Sequence, residues 1–195
     1  MPRATQKKVT DIDWWTWTPT ERATLMFVID RDRILLIRKK RGLGAGKING
    51  PGGRIEPGET PEDCAVRETI EETGITALSP TLRGRARFQF TDGYALTVFC
   101  FVSFDHSGQA VETDEALPLW TPIERIPYDE MWADDALWLP RLLRGEVFDG
   151  RYIFDGDNML DAAFREPPVL ADIACDRPDI GIRVAGPRPT PDSGR

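Results

Sequence analysis

Three acidic side chains are grouped in the segment RETIEETG, residues 67–74, as Glu68, Glu71 and Glu72. Residues three and four positions apart are neighbours on a helix, so a helical segment places all three carboxylates on one face. Like charges at this spacing destabilise a helix by roughly 0.2–0.5 kcal/mol per pair, and a bound cation removes that repulsion. Oxygen ligands are those that Mg²⁺ and Mn²⁺ prefer, especially beside phosphates. Two interpretations are open: a solvated acidic helix face, and a site for a hard divalent metal.

The segment that carries these glutamates has the start and stop signals of a single helix. Thr60 is a candidate N-cap, and Gly74 fits the position just past the C-terminal end. On such a helix Val66, Ile70 and Thr73 lie opposite the glutamates. We therefore expect these three side chains to face the core.

Charge and histidine content exclude several other kinds of function. The chain has 195 residues and a net charge of −7, which disfavours stable binding to nucleic acid or to an anionic membrane. The single histidine, His106, lies in FDHSGQ, where we expect a turn. One histidine leaves little material for a Ser-His-Asp triad or a histidine-rich zinc site. Hydrolytic chemistry in this chain is therefore expected to use carboxylates and a hard metal.

The three cysteines, Cys64, Cys100 and Cys175, are widely spaced and form no CxxC pair. This pattern predicts no disulfide framework and favours a reducing, cytoplasmic location. The apolar runs are too short to span a bilayer, and the N-terminal segment has no apolar signal region.

Strand-like segments surround the predicted helix and give an α+β order, which favours a sandwich over a doubly wound sheet. The expected strands are residues 23–30, 33–40, 84–90 and 94–104, and a second helix is expected from about Asp134. Asp149 and Gly150 are predicted to form the turn of a closing hairpin over residues 147–157. We divide the chain into an N-terminal arm (1–23), one domain (24–166) and a proline-rich, irregular tail (167–195). The tryptophans of the arm leave open a flexible segment and a docked one.

Residues 53–75, GRIEPGETPEDCAVRETIEETGI, resemble the Nudix box, G-x5-E-x7-R-E-U-x-E-E-x-G-U, where U is a bulky apolar residue. Eight of the nine constrained positions match, and the departure is Thr69, which concerns packing. The resemblance implies a Nudix α/β/α sandwich with a mixed β-sheet that cleaves a nucleoside diphosphate linked to another group. It also implies Mg²⁺, with Mn²⁺ as a substitute, and in-line attack on phosphorus by a water that the metal or a carboxylate activates.

The resemblance also assigns roles to individual residues. Arg67 orients a glutamate, and Glu59, at the junction of loop and helix, is expected to have a structural role. Glu115 lies outside the box, where similar enzymes place an acid that reaches the metal; the alternative is a surface acid. The implied catalytic residues are Arg67, Glu68, Glu71, Glu72 and Glu115. The implied metal ligands are Gly52, Glu68, Glu71, Glu72 and Glu115.

The flanking segments, over roughly residues 24–166, resemble the MutT-related members of the family that hydrolyse oxidised purine nucleoside triphosphates. The substrate-binding residues implied by this resemblance are Thr24, Lys39, Asn49, Phe88, Phe90, Trp132, Asp134 and Asp135. Aromatic rings can stack on a purine, and an amide with a carboxyl group can pair with its edge. If both aspartates face the base, one should have a raised pKa and donate a proton. The alternative is that the aspartates cap a helix and the aromatic residues belong to the core.

Other functions remain open at this stage. Within the same family the alternatives are hydrolysis of dinucleoside polyphosphates, nucleotide sugars or methylated purine nucleotides. A non-catalytic nucleotide sensor is less expected, because such modules usually lose a box glutamate or arginine. The tryptophan-rich arm could bind a protein partner, although the resemblance implies a monomer.

Overall fold

The computed structural model describes residues 7–174, which form a mixed β-sheet with helices on both faces. The strands are β1 (Glu21–Asp30), β2 (Arg33–Lys39), β3 (Ile48–Asn49), β4 (Ile75–Leu78), β5 (Thr81–Phe90), β6 (Ala95–Ser103), β7 (Asp105–Gly108), β8 (Ala116–Pro122), β9 (Phe148–Asp155) and β10 (Asn158–Phe164). The helices are α1 (Pro61–Thr73), α2 (Asp135–Leu143) and α3 (Leu170–Ala174). Among the described residues, no helix is long and apolar enough to cross a membrane.

The main sheet has eight strands in the order β10-β9-β5-β6-β1-β2-β3, and β8 also pairs with β2. The β1–β6 and β5–β9 pairs are parallel, and the other pairs in this sheet are antiparallel. Alternate residues of β1 face opposite sides. Phe27 packs in one core cluster with Trp138 of α2, whereas Met26 and Val28 pack in a second cluster with Ala65 of α1. This arrangement confirms the predicted α/β/α sandwich.

Helix α1 begins and ends where the sequence predicts. The Thr60 hydroxyl accepts a hydrogen bond from the Asp63 backbone N–H (3.1 Å), and Pro61 occupies the first turn. Gly74 has a left-handed backbone (φ 73°), and its N–H donates to the Ile70 carbonyl (2.8 Å). These caps satisfy backbone groups that the helix itself leaves without partners.

The buried face of α1 differs from the predicted one. Ile70 is 43% exposed, whereas Thr69, Glu72 and Thr73 are buried. The expectation that Ile70 faces the core is therefore wrong. The reason is that α1 buries the side that carries Ala65, Thr69 and Glu72, and Ile70 lies away from that side. The buried Thr69 hydroxyl donates to the Ala65 carbonyl (2.6 Å), so a polar residue is tolerated at this position.

The predicted hairpin turn at Asp149 and Gly150 is also wrong. Both residues lie inside β9, and the chain reverses around Gly156, between β9 and β10. An Asp-Gly pair is a strong local turn signal. Here the Asp149 carboxylate is fully buried and accepts hydrogen bonds from Arg85 (2.9 Å) and Arg87 (3.1 Å) of β5. These tertiary partners hold the pair in an extended conformation.

A two-stranded sheet of β4 and β7 lies beside the main sheet and was not predicted. His106 is part of β7, opposite Ala77 of β4, and its ring lies 5.2 Å from that of Trp120. The expectation of a turn at His106 is wrong because the short, polar strand DHSG carries no alternating apolar pattern.

Both ends of the described chain pack on the main sheet, the arm on β9 and α3 on β5. Val9, Ile12 and Trp14 of the arm are buried against Ile153 of β9. Ile173 of α3 is fully buried. Strand β1 begins at residue 21, slightly before the domain start that the sequence suggested. Residues 175–195, which include Cys175 and most of the predicted tail, lie outside the described residues.

Candidate active site

The glycine-rich loop that precedes α1 lies directly against the helix and β1. The Thr24 backbone N–H donates to the Gly53 carbonyl (2.9 Å). A Cβ atom on Gly52 would lie 2.0 Å from the Thr24 carbonyl oxygen, and one on Gly53 would lie 2.3 Å from the Glu68 carboxyl carbon. The approach to backbone excludes a side chain at Gly52, whereas a side chain at Gly53 would displace the Glu68 carboxylate. The Glu68 carboxylate therefore lies directly against the loop at Gly53.

Arg67 connects three carboxylates. Its Nε and one terminal nitrogen donate to the two oxygens of Glu59 (2.8 and 3.0 Å). The other terminal nitrogen donates to Glu68 (2.8 Å) and Glu71 (3.1 Å). Hydrogen bonds from Arg67 lower the pKa of Glu59 to about 2. Glu59 therefore anchors the guanidinium, which in turn orients Glu68 and Glu71.

Glu72 is almost fully buried and has a different cation as its partner. One carboxylate oxygen accepts a hydrogen bond from the Gly52 N–H (2.8 Å), and the other lies 3.5 Å from Lys39 Nζ. Burial raises the pKa of Glu72, and the charge of Lys39 opposes that rise. Burial likewise raises the pKa of Glu68, against the effect of Arg67. The three negative charges expected from the sequence are thus balanced by basic side chains. Arg67 pairs with Glu68 and Glu71, and Lys39 pairs with Glu72.

Glu115 lies in a loop beside the C-terminal end of α1. The Thr113 hydroxyl donates to the Glu72 carbonyl (3.3 Å), which ties this loop to the helix. The Glu115 carboxylate pairs with Arg41 and is 42% exposed. The structure therefore places Glu115 near the helix with its carboxylate directed towards Arg41.

The donors around α1 fit a hard divalent cation by their chemistry, because all of them are oxygens. Among residues 7–174, no three acidic, cysteine or histidine side chains converge at metal-binding spacing. Arg67 and Lys39 hold the carboxylates in their present directions. Of the predicted ligands, the structure brings Gly52, Glu68 and Glu72 to one place, whereas Glu71 is 53% exposed on the outer side of the helix.

A cavity of about 300 Å³ opens beside the loop and α1. Its size suits a small organic ligand. All eight predicted substrate-binding residues line it, together with Gly52 and Gly53. Those eight residues are Thr24, Lys39, Asn49, Phe88, Phe90, Trp132, Asp134 and Asp135.

Asp134 and Asp135 form the acidic part of the cavity wall, and each is 2% exposed. One Asp134 oxygen accepts a hydrogen bond from the Trp138 indole (2.8 Å), and one Asp135 oxygen accepts from the Trp132 backbone N–H (3.0 Å). Burial raises the pKa of Asp134 to about 6. Burial and the neighbouring Asp134 raise the pKa of Asp135 well above its ordinary range.

Asp134 occupies the N-cap position of α2, but its side chain makes no capping hydrogen bond. Its second carboxylate oxygen is buried, and no hydrogen-bond partner for it exists within the part of the chain that the structure describes. A buried polar atom without a partner costs about 1–3 kcal/mol. Because Asp134 lines the cavity, a ligand with a polar edge could supply this partner.

Aromatic rings form the apolar walls of the cavity. Phe88 stacks on Tyr152, with ring centroids 5.2 Å apart. Trp132 meets Phe154 edge to face (5.7 Å), and Phe90 lies 5.6 Å from the same ring. Phe88 and Phe90 are half-buried, so they line the cavity as well as contacting the core.

Asn49 and Lys39 both line the cavity, and Lys39 also connects it to the carboxylates of α1. Asn49 ends the short strand β3, and its side-chain oxygen accepts a hydrogen bond from the Gly50 N–H (2.9 Å). Lys39 lines the cavity and also pairs with Glu72, so one side chain touches both the aromatic cavity and the helix carboxylates.

The cavity has further lining residues that the sequence did not single out. Tyr94 Oη donates to Glu21 (2.5 Å), and Arg54 pairs with the other oxygen of Glu21 (2.8 Å). Arg54 directly follows Gly53, so its place at the end of the glycine-rich loop could have identified it from the sequence. Glu21 and Tyr94 lie at the ends of strands that meet only in the folded sheet, so no local pattern identifies them.

Comparison with known proteins agrees with this geometry. Residues 19–142 match the NUDIX domain family. The chain is 41% identical over 138 residues to the zebrafish oxidized purine nucleoside triphosphate hydrolase, covering 70% of this chain and 88% of the relative. It is 39% identical over 145 residues to the mouse protein of the same name, covering 73% and 93%. A crystal structure of a MutT protein from Bacillus halodurans superposes with a TM-score of 0.68 at 28% identity, covering 76% of this chain and 99% of that one. The chain therefore belongs to the Nudix family and is a hydrolase of phosphoric anhydride bonds.

Proposed function

We propose that this enzyme converts oxidised purine nucleoside triphosphates into the monophosphate and pyrophosphate, and so removes damaged nucleotides from the precursor pool. The observation that carries this proposal is that one cavity, beside the carboxylates of α1, is lined by all eight residues expected to bind the substrate. The names of the zebrafish and mouse relatives support the same substrate class.

The chemistry of the cavity suits a purine with a modified edge. Trp132 and Phe88 offer ring faces for stacking. Asp134 and Asp135 are buried with raised pKa values, so one carboxyl can carry a proton and donate it in a hydrogen bond while the other accepts. Exchange of that proton allows recognition of either 8-oxoguanine or 2-hydroxyadenine, whose edges differ in donors and acceptors.

The phosphates would lie along the loop and α1. We propose that Gly52, Glu68, Glu71, Glu72 and Glu115 hold Mg²⁺, or Mn²⁺ in its place. When bound, the cation neutralises phosphate oxygens and promotes deprotonation of the attacking water. Lys39 would move from Glu72 towards a phosphate, and Arg67 would keep Glu68 and Glu71 in position from the anchor at Glu59.

A substrate screen in Mg²⁺ tests the proposal. The substrates are 8-oxo-dGTP, 2-hydroxy-dATP, O6-methyl-dGTP, dGTP and a dinucleoside polyphosphate, with product identity followed by chromatography. We expect kcat/KM for an oxidised purine triphosphate to exceed that for dGTP by at least about fivefold, because an unmatched buried polar group is costly. Equal rates for oxidised and ordinary nucleotides would contradict the proposed substrate while leaving the hydrolase activity intact.

A monomeric enzyme in the cytoplasm remains our prediction for its assembly and location. Sedimentation of the purified chain tests the first prediction, and fractionation of cells that express it tests the second.

A further inference from the structure

One wall of the cavity is the turn between β5 and β6, residues 89–95, which we call the β5–β6 turn. Phe90 and Tyr94 of this turn line the cavity, with ring centroids 5.4 Å apart. The turn is closed by backbone hydrogen bonds from Phe90 N to Tyr94 O (2.9 Å) and from Gly93 N to Phe90 O (3.1 Å). Motion of the backbone of this short turn would move the rings of Phe90 and Tyr94, so contacts that hold the turn also hold the rings.

The side chain of Gln89 braces this turn from the opposite face of β5. Its amide nitrogen donates to the carbonyls of Phe90 (3.0 Å) and Tyr94 (3.2 Å), and its amide oxygen accepts from the Trp17 indole N–H (2.8 Å). Carbonyls only accept and an indole N–H only donates, so a single orientation of the amide satisfies all three contacts. The N-terminal arm is thereby connected to the cavity wall through one side chain.

Two further contacts join the same stretch of the arm to the turn. The Thr20 hydroxyl donates to the Ala95 carbonyl (2.7 Å) and accepts from the Ala95 N–H (3.1 Å). Glu21 accepts the hydrogen bond from Tyr94 Oη. Residues 17–21 therefore contact the turn at its beginning, at its aromatic tip and at its end.

The arm is itself fixed behind the sheet. Trp14 is buried, and its ring lies 5.2 Å from that of Trp17. The guanidinium groups of Arg87 and Arg151 lie 5.6 and 5.5 Å from the Trp14 ring, and its indole N–H donates to the Val9 carbonyl (2.8 Å). Cation–π contacts and burial hold Trp14 in place, and Trp14 supports Trp17.

We infer that Trp17 and Gln89 are positioning residues, which set the affinity for the nucleotide by fixing the aromatic wall of Phe90 and Tyr94. The inference rests on the proposed function in so far as the cavity takes the base. It gives the tryptophan-rich arm a role in substrate binding within the same chain. Because the α1 carboxylates are held by Gly52, Lys39 and Arg67, which are not part of this turn, loss of the brace should raise KM and leave kcat nearly unchanged.

The test compares Trp17→Phe, which removes the indole N–H and keeps an aromatic ring, with Gln89→Leu and the double variant. Trp15→Phe is the matched control, because Trp15 belongs to the same arm and is 47% exposed. With the nucleotide that the wild type hydrolyses best, we expect KM to rise about three- to tenfold in both single variants, with kcat within about twofold. The double variant should equal Gln89→Leu, because both changes break one chain of contacts.

Hydrogen exchange in the nucleotide-free protein separates this inference from the proposed substrate. Amides of residues 90–95 should exchange faster in Trp17→Phe and in Gln89→Leu than in the wild type and in Trp15→Phe. If the wild type prefers another nucleotide, the proposed substrate is wrong. The KM for that nucleotide and the amide exchange of residues 90–95 then still test the roles of Trp17 and Gln89. Unchanged KM and exchange in both folded variants, or an equal rise in KM for Trp15→Phe, would overturn the inference.

Discussion

Two pairs of acidic residues differ in their partners: the aspartate pair lines the cavity, and the pair on α1 lies behind the lining glycines Gly52 and Gly53. Glu68 and Glu72 on α1 are balanced by the cations Arg67 and Lys39. Asp134 and Asp135 are bonded to neutral donors, the indole N–H of Trp138 and the backbone N–H of Trp132. All four carboxylates are largely shielded from solvent. The two pairs therefore differ in the charge of their partners and not in their exposure.

This difference assigns different chemistry to the two pairs. Carboxylates that face cations are favoured in the charged form by those cations, and they can exchange the cations for a metal and for phosphate contacts. Carboxyl groups buried beside neutral donors gain from binding a proton, and a protonated carboxyl both donates and accepts hydrogen bonds. The α1 pair therefore suits the reacting phosphates, and the aspartate pair suits the base.

The largest expected effect follows from removing charge on α1. Glu72→Gln should lower kcat by about 10³-fold, because metal catalysis supplies several kcal/mol of charge stabilisation. The dissociation constant for the nucleotide should change by less than about fivefold, since the cavity is intact. Steady-state kinetics and calorimetric binding measure the two quantities. Glu62→Gln, at an exposed position of the same helix, is the control; wild-type turnover in Glu72→Gln would contradict the metal assignment.

Removing charge from the aspartate pair should change selectivity more than turnover. Asp134→Asn and Asp135→Asn each replace a group that exchanges a proton with one of fixed donors and acceptors. We expect the kcat/KM ratio of oxidised to ordinary dGTP to fall about 10- to 100-fold, with the unfolding midpoint nearly retained. Competition assays with both nucleotides measure the ratio. Asp129→Asn is the exposed control, and unaltered selectivity in both variants would place the pair outside base recognition.

The aspartate pair should also make stability depend on pH. The pKa of Asp134 is about 6 in the folded protein, against about 3.9 for an exposed aspartate. The folded state thus holds the proton of Asp134 more tightly than the unfolded state does. The contribution of this proton to the free energy of unfolding is therefore fully present below about pH 4 and is lost as the pH rises through 6. Relative to Asp134→Asn, the wild type should lose about 2 kcal/mol over this range. Urea unfolding at several pH values measures it, and parallel profiles would refute the burial argument.

The smallest expected effect is the stabilisation by the metal alone. Mg²⁺ at a few times its dissociation constant should stabilise the nucleotide-free protein by about 1 kcal/mol, which is about 2–4 °C in Tm. Glu72→Gln should lose most of this increase, whereas Asp134→Asn should keep it. Thermal unfolding with NaCl of equal ionic strength controls for screening. An equal increase in wild type and Glu72→Gln would place the cation elsewhere.

The parts predicted well from sequence are those that depend on local spacing. The caps at Thr60 and Gly74 follow from the residue types at the two ends of one helix, so neighbours in sequence suffice to locate them. The cavity residues come from distant segments, and only resemblance to a family joined them. The turn at Asp149 and the inward face of Ile70 were predicted wrongly because buried partners overrode the local signal.

By itself, the sequence determined that Glu68, Glu71 and Glu72 fall within the last two turns of one helix, because its caps and its repeat of 3.6 residues are local properties. Tertiary structure alone decided that Glu72 meets Lys39, that Asp134 and Asp135 are buried, and which arm residues brace the cavity. The physical reason is that charge balance and burial depend on groups far apart in the chain, and their meeting is set by the pairing order of the sheet.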